Sequence, residues 1–484
     1  MSNKSIKLNY MMNIILTMSS FIFPFVVFPY MTRILQPAGI GKVSFASSLV
    51  SYFGIFAQLG VPTYGIRECA RVRENKEELT QIVAELFVVN LISCTITYIL
   101  FIISILTIPK LQQEKFLYMI MGVSLILNAL GMEWLYRALE EYSYITIRSV
   151  IFKCIAIILM FFLVKSESDY IIYGFLTIFA SSASNILNIL NVRKFICFKL
   201  QRKLQLTKHF RSVIVFVAMT FSTTIYINLD TVMLGFMTSD AEVGCYDAAI
   251  KVKKVLVSII TALGGVLLPR VTFLLESGKK DKFLKINSKA IKYVITVSIP
   301  LLIYFIMFAH ESIFLLCGSS YERAVRPMQI IMPTLLFIGI SNITGMQVLV
   351  PLGKEKMVLI SEICGAIIDL LINVLIIPCY GAAGAAMGTV IAEMLVLVVQ
   401  CVALKKFLGF LFFDLELSKV IVAAGVAILP VLLILEIDMS GFALLCVSSL
   451  MYFTIYMAIL FIEKDEISNL IVYELKKMVS RLRK

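Results

Sequence analysis

Ionisable side chains inside long apolar runs are the residues of this chain whose types and spacing suit chemistry. One run carries Asp247, Lys251 and Lys254 at i, i+4 and i+7, on one helical face with Ser258 and Thr261. The run before it holds Asp230 beside Asn228 and Thr231, and Arg33 and Lys42 flank an early turn. Farther on, Glu362 and Asp369 share a face with Asn373 following, and the next run holds Glu393. A charge at the centre of an apolar membrane segment costs about 2.5–3.5 kcal/mol on insertion scales, so such residues face a cavity, an ion path or a partner. Cations in such places suit an anionic group, above all a phosphate, held by charge-assisted hydrogen bonds. Arg33, Lys42, Lys251 and Lys254 are therefore the candidate substrate-binding residues, and Asp230, Asp247, Asp369 and Glu393 the candidates for ion coupling or gating. The plainer alternative for each is an internal salt bridge or a polar contact between helices. It weighs more on Asp230, Glu362 and Glu393 than on the lysine cluster.

No soluble catalytic set competes. The sequence contains no GxxxxGK[ST] loop, no HExxH and no GxSxG. His209 and His310 are its only histidines, and its ten cysteines form no CxxC pair, so neither a metal site nor a cofactor is expected. Cys245, Cys317 and Cys379 are the candidates for a disulfide, because they fall near one face.

The elements that must position these charges are membrane spans. Hydrophobic residues make up 60% of the chain, charged residues 15%, and the mean hydropathy is +0.93. A bilayer core needs about 20 apolar residues per helix, with backbone groups satisfied inside the helix. Fourteen such spans fit between Leu8 and Ile462, the second expected over 42–66 and the eighth over 243–268. The first run follows Lys4 and Lys7 like a signal peptide. It is too long for one, carries Pro24 and Pro29, and lacks a small-residue cleavage pattern, so an uncleaved helix is expected. With the N-terminus inside, 34 of the 44 Lys and Arg fall in inner loops and tails and about seven in outer loops. That asymmetry sets both termini in the cytoplasm. It also accounts for the net charge of +13 through orientation and anionic lipid, without nucleic acid.

A short motif recurs at three outer turns. It reads Pro37-Ala38-Gly39-Ile40-Gly41, then Asp240-Ala241-Glu242-Val243-Gly244, then Tyr380-Gly381-Ala382-Ala383-Gly384, each followed by small residues. Glycine permits a tight turn and small residues permit close helix approach. Six spans separate the starts of helices 1 and 7, so the halves would be parallel repeats. The expected organisation is a six-helix bundle over 1–208, a second over 209–408, and helices 13 and 14 with a basic tail over 409–484.

At this point the residues resemble a family. Phe28-Pro29-Tyr30-Met31-Thr32-Arg33-Ile34-Leu35 with Gly39-Ile40-Gly41, and Asn228-Leu229-Asp230-Thr231-Val232-Met233-Leu234-Gly235 with Val243-Gly244-Cys245-Tyr246-Asp247-Ala248-Ala249-Ile250-Lys251, carry the likeness. So do Cys317-Gly318-Ser319-Ser320-Tyr321-Glu322-Arg323-Ala324 and Asn373-Val374-Leu375-Ile376-Ile377-Pro378 with the third turn. In order, they resemble the polysaccharide-repeat flippases (Wzx-type) of the superfamily that also holds the multidrug and toxin extruders. The resemblance implies an all-α polytopic membrane protein, a V-shaped pair of six-helix bundles plus a C-terminal helix pair, and no enzyme activity. It implies alternating-access transport of an oligosaccharide on undecaprenyl diphosphate from the inner to the outer leaflet of the bacterial cytoplasmic membrane. The partners would be that lipid-linked oligosaccharide and membrane lipids, with protons or sodium as coupling ion. Arg33 and Lys251 match positions where such flippases carry cavity cations; Lys42 and Lys254 come from spacing alone.

Two rivals remain at this level. A cation-coupled multidrug exporter would favour an acidic or neutral apolar cavity, against the lysines near 251. A membrane-embedded glycan-assembly enzyme would need a large outer loop, against loops of about five to fifteen residues on this span reading. A scaffold leaves the charges in the spans unexplained. The charge asymmetry predicts that cysteines engineered near Arg202 react only with reagents applied from the cytoplasmic side. Strong labelling there from outside intact cells would overturn the topology.

Overall fold

Proline and glycine decide where the apolar runs reverse. The computed structural model describes residues 6–197, 203–412, 416–434, 439–463 and 465. Lys4, residues 198–202 with Arg202, and nearly all of the basic tail from Lys464 to Lys484, on which the expected orientation leans, lie outside the described residues. Among the described residues the elements are helices, with no strand. Nine of them are long and apolar enough to cross a membrane, or ten if Ser319–Ile331 and Thr334–Leu349 are one bent span. By contacts the chain divides into two units, Met1–Gly244 and Cys245–Lys484.

The first unit begins with α1 (Ile6–Gln58), which is two legs. Pro37 disfavours the helical region for the residue before it, and Gln36 leaves the helix at φ 55, ψ 175. The Gln36 side chain then donates to the carbonyl of Arg33 at 2.8 Å, satisfying a group that the break exposes. The first leg runs parallel to α6 (Tyr142–Leu163). Thr146 donates to the Met12 carbonyl, Lys153 to the Ser19 hydroxyl, and Tyr30 to the Val164 carbonyl. The second leg packs on α3 (Lys76–Thr107), where Phe53 meets Phe101 at 5.0 Å. It also packs on α4 (Lys115–Gly131), where Phe45 meets the edge of Tyr118 at 6.3 Å.

The expected second span ran to residue 66. The helix instead stops at Gln58, because Leu59 and Gly60 adopt φ values of 45 and 66. A separate short helix, α2 (Val61–Arg71), follows and packs beside α5 (Glu133–Ala138). Val61, Tyr64, Leu86, Trp134 and Val213 form the apolar cluster there. A buried polar triad crosses it. His209 bonds Glu85 at 2.7 Å through one ring nitrogen and Tyr64 at 2.8 Å through the other. Cys69 lies in the same cluster, and burial, then the Glu68 charge, pushes its thiol up to about 12, so it stays protonated. All ten cysteines are free thiols, so the disulfide considered among Cys245, Cys317 and Cys379 is absent from the structure. The unit continues through α7 (Glu167–Lys194), which carries a π turn at Phe179–Ala183, and α8 (Thr207–Met237).

Helix α9 (Asp240–Glu276) starts at the second turn motif and leads into the other unit. There follow α10 (Lys280–Met307), α11 (Ala309–Cys317), the bent pair α12 (Ser319–Ile331) and α13 (Thr334–Leu349), and α14 (Glu355–Ala403). Helix α14 doubles back at Gly381, whose φ of 54 and ψ of −129 suit glycine alone. The reversal is visible in contacts: the Gly388 backbone lies against the side chains of Asp369 and Asn373. In a straight helix Gly388 and Asp369 would stand about 28 Å apart. The last two helices, α15 (Leu417–Ile434) and α16 (Gly441–Ile462), pack with α10. Tyr304 donates to the Leu445 carbonyl and Tyr456 to the Thr296 carbonyl. Lys292 pairs with Glu416 at 3.4 Å and Asp465 at 3.3 Å. Lys419, bonded to Glu416 at 2.6 Å, holds that carboxyl below the usual carboxylate range.

The first two turn motifs touch each other, both within the first unit. A Cβ on Gly41 would fall 1.7 Å from the carbonyl oxygen of Asp240, and a Cβ on Gly244 would fall 2.0 Å from that of Pro37. Real atoms never approach so closely, so only glycine fits either place. Alanine at position 41 or 244 is expected to destabilise this arrangement by about 1–3 kcal/mol, the usual range for overpacking. Alanine at Gly425, where nothing lies within 4 Å, is the control. Thermal melting of the purified protein in detergent reads the difference. Equal melting of the Gly41→Ala and Gly425→Ala variants would remove the close contact as a constraint.

Candidate functional site

The i, i+4, i+7 spacing on α9 yields one charged, accessible stripe. Asp247 and Lys251 form an ion pair of 2.7 Å, with side chains 19% and 29% exposed. Lys254 and Ser258 are exposed on the same face and Thr261 is half-buried. The opposite face, with Ala248, Ala249, Val252, Leu256 and Ile260, is buried. The helix thus turns its apolar side into the protein and its ionic side out of the packing. Pairing reduces the cost of each charge.

The other candidates divide by surroundings. Arg33 is exposed at the end of the first leg of α1. Lys42 pairs with Glu114 at 2.5 Å and sits 4.4 Å over the ring of Tyr170, whose hydroxyl donates to the same carboxylate at 2.6 Å. An anion would have to compete with Glu114 for Lys42. Lys110 is similarly engaged by Asp240 at 2.8 Å, beside the glycine contact. Asp230 is buried near the end of α8. Asp369, buried in the first leg of α14, accepts a hydrogen bond from Asn373 at 3.2 Å. Glu393 is buried on the returning leg, one helical turn beyond Thr389, which bonds Tyr246 at 2.9 Å. Of the eight candidates, hydrogen bonding thus joins Asp247 to Lys251, while Lys42 is drawn to a carboxylate that was not among them. Among the described residues no group of three or more His, Cys, Asp or Glu could hold a metal ion.

The first unit also contains a cavity of about 570 Å³ between α1, α4, α7 and α8. That lies within the roughly 300–1,000 Å³ of small-molecule sites. Gln58, Ser124, Asn128, Ser181, Thr224 and Asn228 supply much of its polar lining. Sequence reasoning singled out Asn228 beside Asp230 but passed over Ser124, Asn128 and Ser181. Their common signal is a small polar residue repeated on apolar helices, which is also the signature of ordinary helix packing.

Comparison with known proteins agrees with this architecture. The family model described as polysaccharide biosynthesis protein matches residues 6–274, and the MatE model matches residues 215–375. A protein of Shigella dysenteriae named "Putative O-antigen transporter" is 28% identical over 393 residues, covering 80% of this chain and 97% of that protein. A protein of the same name from Escherichia coli (strain K12) is 23% identical, covering 78% of this chain and 91% of its own. The solved structure "Lipid II flippase MurJ, inward closed conformation" superimposes with a TM-score of 0.74 at 15% identity, over 95% of this chain and all of that one. An inward-facing multidrug resistance MATE family transporter superimposes with a TM-score of 0.56 at 12% identity, over 83% of this chain and 98% of that one. The structural likenesses carry the fold: an all-α polytopic membrane protein. The family match spans more than half of the chain, and this protein belongs to the polysaccharide biosynthesis protein family.

Proposed function

We propose that this chain is a flippase that moves an undecaprenyl-diphosphate-linked oligosaccharide from the inner to the outer leaflet of the bacterial cytoplasmic membrane. It acts as a transporter and not as an enzyme. The observation that carries this reading is the accessible Asp247–Lys251–Lys254 stripe on an otherwise apolar helix, in a chain of the polysaccharide biosynthesis family. Lys251 and Lys254 hold the diphosphate; Arg33 and Lys42 are the candidate cations of the first unit, Lys42 only when released from Glu114. Fourteen spans are counted when each leg of α1 and α14 is one, the bent pair is one, and α4 and α8 also cross; an even number puts both termini on one face, and the charge asymmetry makes that face cytoplasmic on this reading.

Alternating access needs no ATP if an ion resets the empty protein. Asp247 already neutralises Lys251, so the pair is self-contained when no anion is bound. A diphosphate would compete with Asp247 for the ammonium and leave the carboxylate to take a proton or sodium. Asp230, Asp369 and Glu393 are the remaining coupling candidates. A ligand shifts the two states only by its difference in affinity for them, and the broken pair is one place where that difference arises. The MatE match favours a second reading, a drug exporter; organic cations would then be driven off by Lys251 and Lys254.

Charge, and not hydrogen-bond geometry alone, is what the site needs on this reading. Lys251→Arg and Lys254→Arg are expected to retain more transport than the corresponding glutamine variants at matched protein levels. The readout is appearance of lipid-linked oligosaccharide in the outer leaflet. Full transport by the Lys251→Gln, Lys254→Gln double variant would sink the cationic mechanism. Accumulation of cytoplasm-facing lipid-linked oligosaccharide on deleting the gene tests the flippase reading itself.

The ion pair yields its own prediction. Asp247→Asn is expected to free Lys251, strengthen binding of undecaprenyl diphosphate, and slow turnover because release is hindered. The exchanged pair, Asp247→Lys with Lys251→Asp, is expected to recover part of the activity lost by either reversal alone. Wild-type turnover in Asp247→Asn would show that the pair has no part in the cycle.

A further inference from the structure

The cavity of the first unit has a hydrogen-bonding character of its own. Its described lining residues include no charged side chain. Several of its hydroxyls already donate inward: Ser51 to the Ser47 carbonyl, Ser124 to the Met121 carbonyl, and Thr220 to the Phe216 carbonyl. A hydroxyl that donates to its own helix presents only lone pairs outward. Asn228 spends an amide hydrogen on the Thr224 carbonyl at 3.0 Å, which leaves its oxygen as an acceptor. Asn128 accepts from Asn185 at 3.0 Å, so its amide hydrogens are available as donors, and Gln58 offers both kinds. Ile55, Met121 and Leu125 form apolar wall between these groups.

By its described lining residues the cavity is therefore neutral, rich in acceptors and partly apolar. A phosphate finds amide hydrogens here but, among the described lining residues, no cation to balance its charge. A sugar ring fits: its hydroxyls donate to the lone pairs, its own oxygens accept from the amides, and its C–H faces lie on the apolar wall. We propose that this cavity is the glycan-recognition site of the protein, binding uncharged sugar residues and taking no part in holding the diphosphate. The proposal rests on the flippase reading above. It assigns sugar selectivity to Gln58, Asn128, Asn228 and the neighbouring hydroxyls, and places no demand on Lys251 or Lys254.

The test uses the full-length protein in lipid nanodiscs and two probes. One is lipid-linked oligosaccharide extracted from a strain of the source organism lacking the gene; the other is bare undecaprenyl diphosphate. Gln58→Ala and Asn228→Ala are each expected to weaken binding of the first probe about five- to tenfold, the scale of a lost hydrogen bond. Binding of the bare lipid should stay within about twofold of wild type, since no group of the cavity is asked to hold phosphate. Ser124→Ala, which removes one hydroxyl and adds no bulk, is the second variant, measured where either of the others fails to fold. Unchanged affinity for the oligosaccharide lipid, or equal loss for both probes in folded protein, overturns the glycan site and leaves the flippase reading standing. Failure of the wild-type protein to bind or translocate the oligosaccharide lipid overturns the flippase reading instead.

Discussion

Two backbone segments meet in this protein with no room for a single extra carbon atom. The turn at Pro37–Gly41 and the turn at Asp240–Gly244 press on each other reciprocally: Gly41 on the carbonyl of Asp240, Gly244 on the carbonyl of Pro37. The equivalent residues of two copies of one motif exchange equivalent contacts, as in an interface with a two-fold axis. In water, apolar side chains would drive such a junction. Between membrane helices that drive is absent, and close backbone packing takes its place. The legs of α1 and the start of α9 leave from these turns, so the contact sets where Lys42 and Asp240 stand.

Charge in apolar surroundings is the second constraint, and the protein meets it with short-range pairs. Lys42 with Glu114, Lys110 with Asp240 and Asp247 with Lys251 lie near the turns, and Arg148 with Glu133 lies elsewhere in the first unit. Breaking a buried pair from one side strands the other charge and is costly. A pair is thus a stable resting arrangement that an incoming ion disturbs at a definite free-energy cost. Among these, Asp247 and Lys251 differ in being followed on the same face by a further lysine and by hydroxyls. That surplus of positive charge makes the stripe suitable for an anion, whereas Lys42 and Lys110 are each matched by one carboxylate.

Much of this was legible in the sequence. Hydropathy gave the helices, Pro37 and Gly381 marked real reversals, and the i, i+4 spacing gave the Asp247–Lys251 bond, since helical period alone brings those side chains together. The break at Leu59 and Gly60 was not legible. The apolar run continues past it, and a left-handed leucine has no signature in composition. The partner of Lys42 was hidden for another reason: Glu114 is remote in sequence, and only the packing of the second leg of α1 beside α4 brings it near. The cavity was the least visible feature. Serine and asparagine on apolar helices serve packing as readily as binding, and only the direction in which their hydrogens point separates the two.

The direction of those hydrogens separates two kinds of ligand chemistry. A lipid-linked oligosaccharide presents two chemistries, a diphosphate acting as a charged acceptor and sugars bearing hydroxyl donors. One pocket cannot suit both well, because lone pairs that receive a hydroxyl repel a phosphate. The first unit offers an uncharged cavity of acceptors and amides, and the second offers a helix face with surplus lysine charge. Separate subsites would let the diphosphate, common to every substrate of this kind, be held by charge that need not change. Selectivity for the glycan would then rest on neutral hydrogen bonds, each worth about 0.5–1.5 kcal/mol, that one substitution can add or remove. On this view a change of glycan would be accommodated by changes among residues such as Gln58, Asn128 and Asn228, with the lysines of α9 untouched.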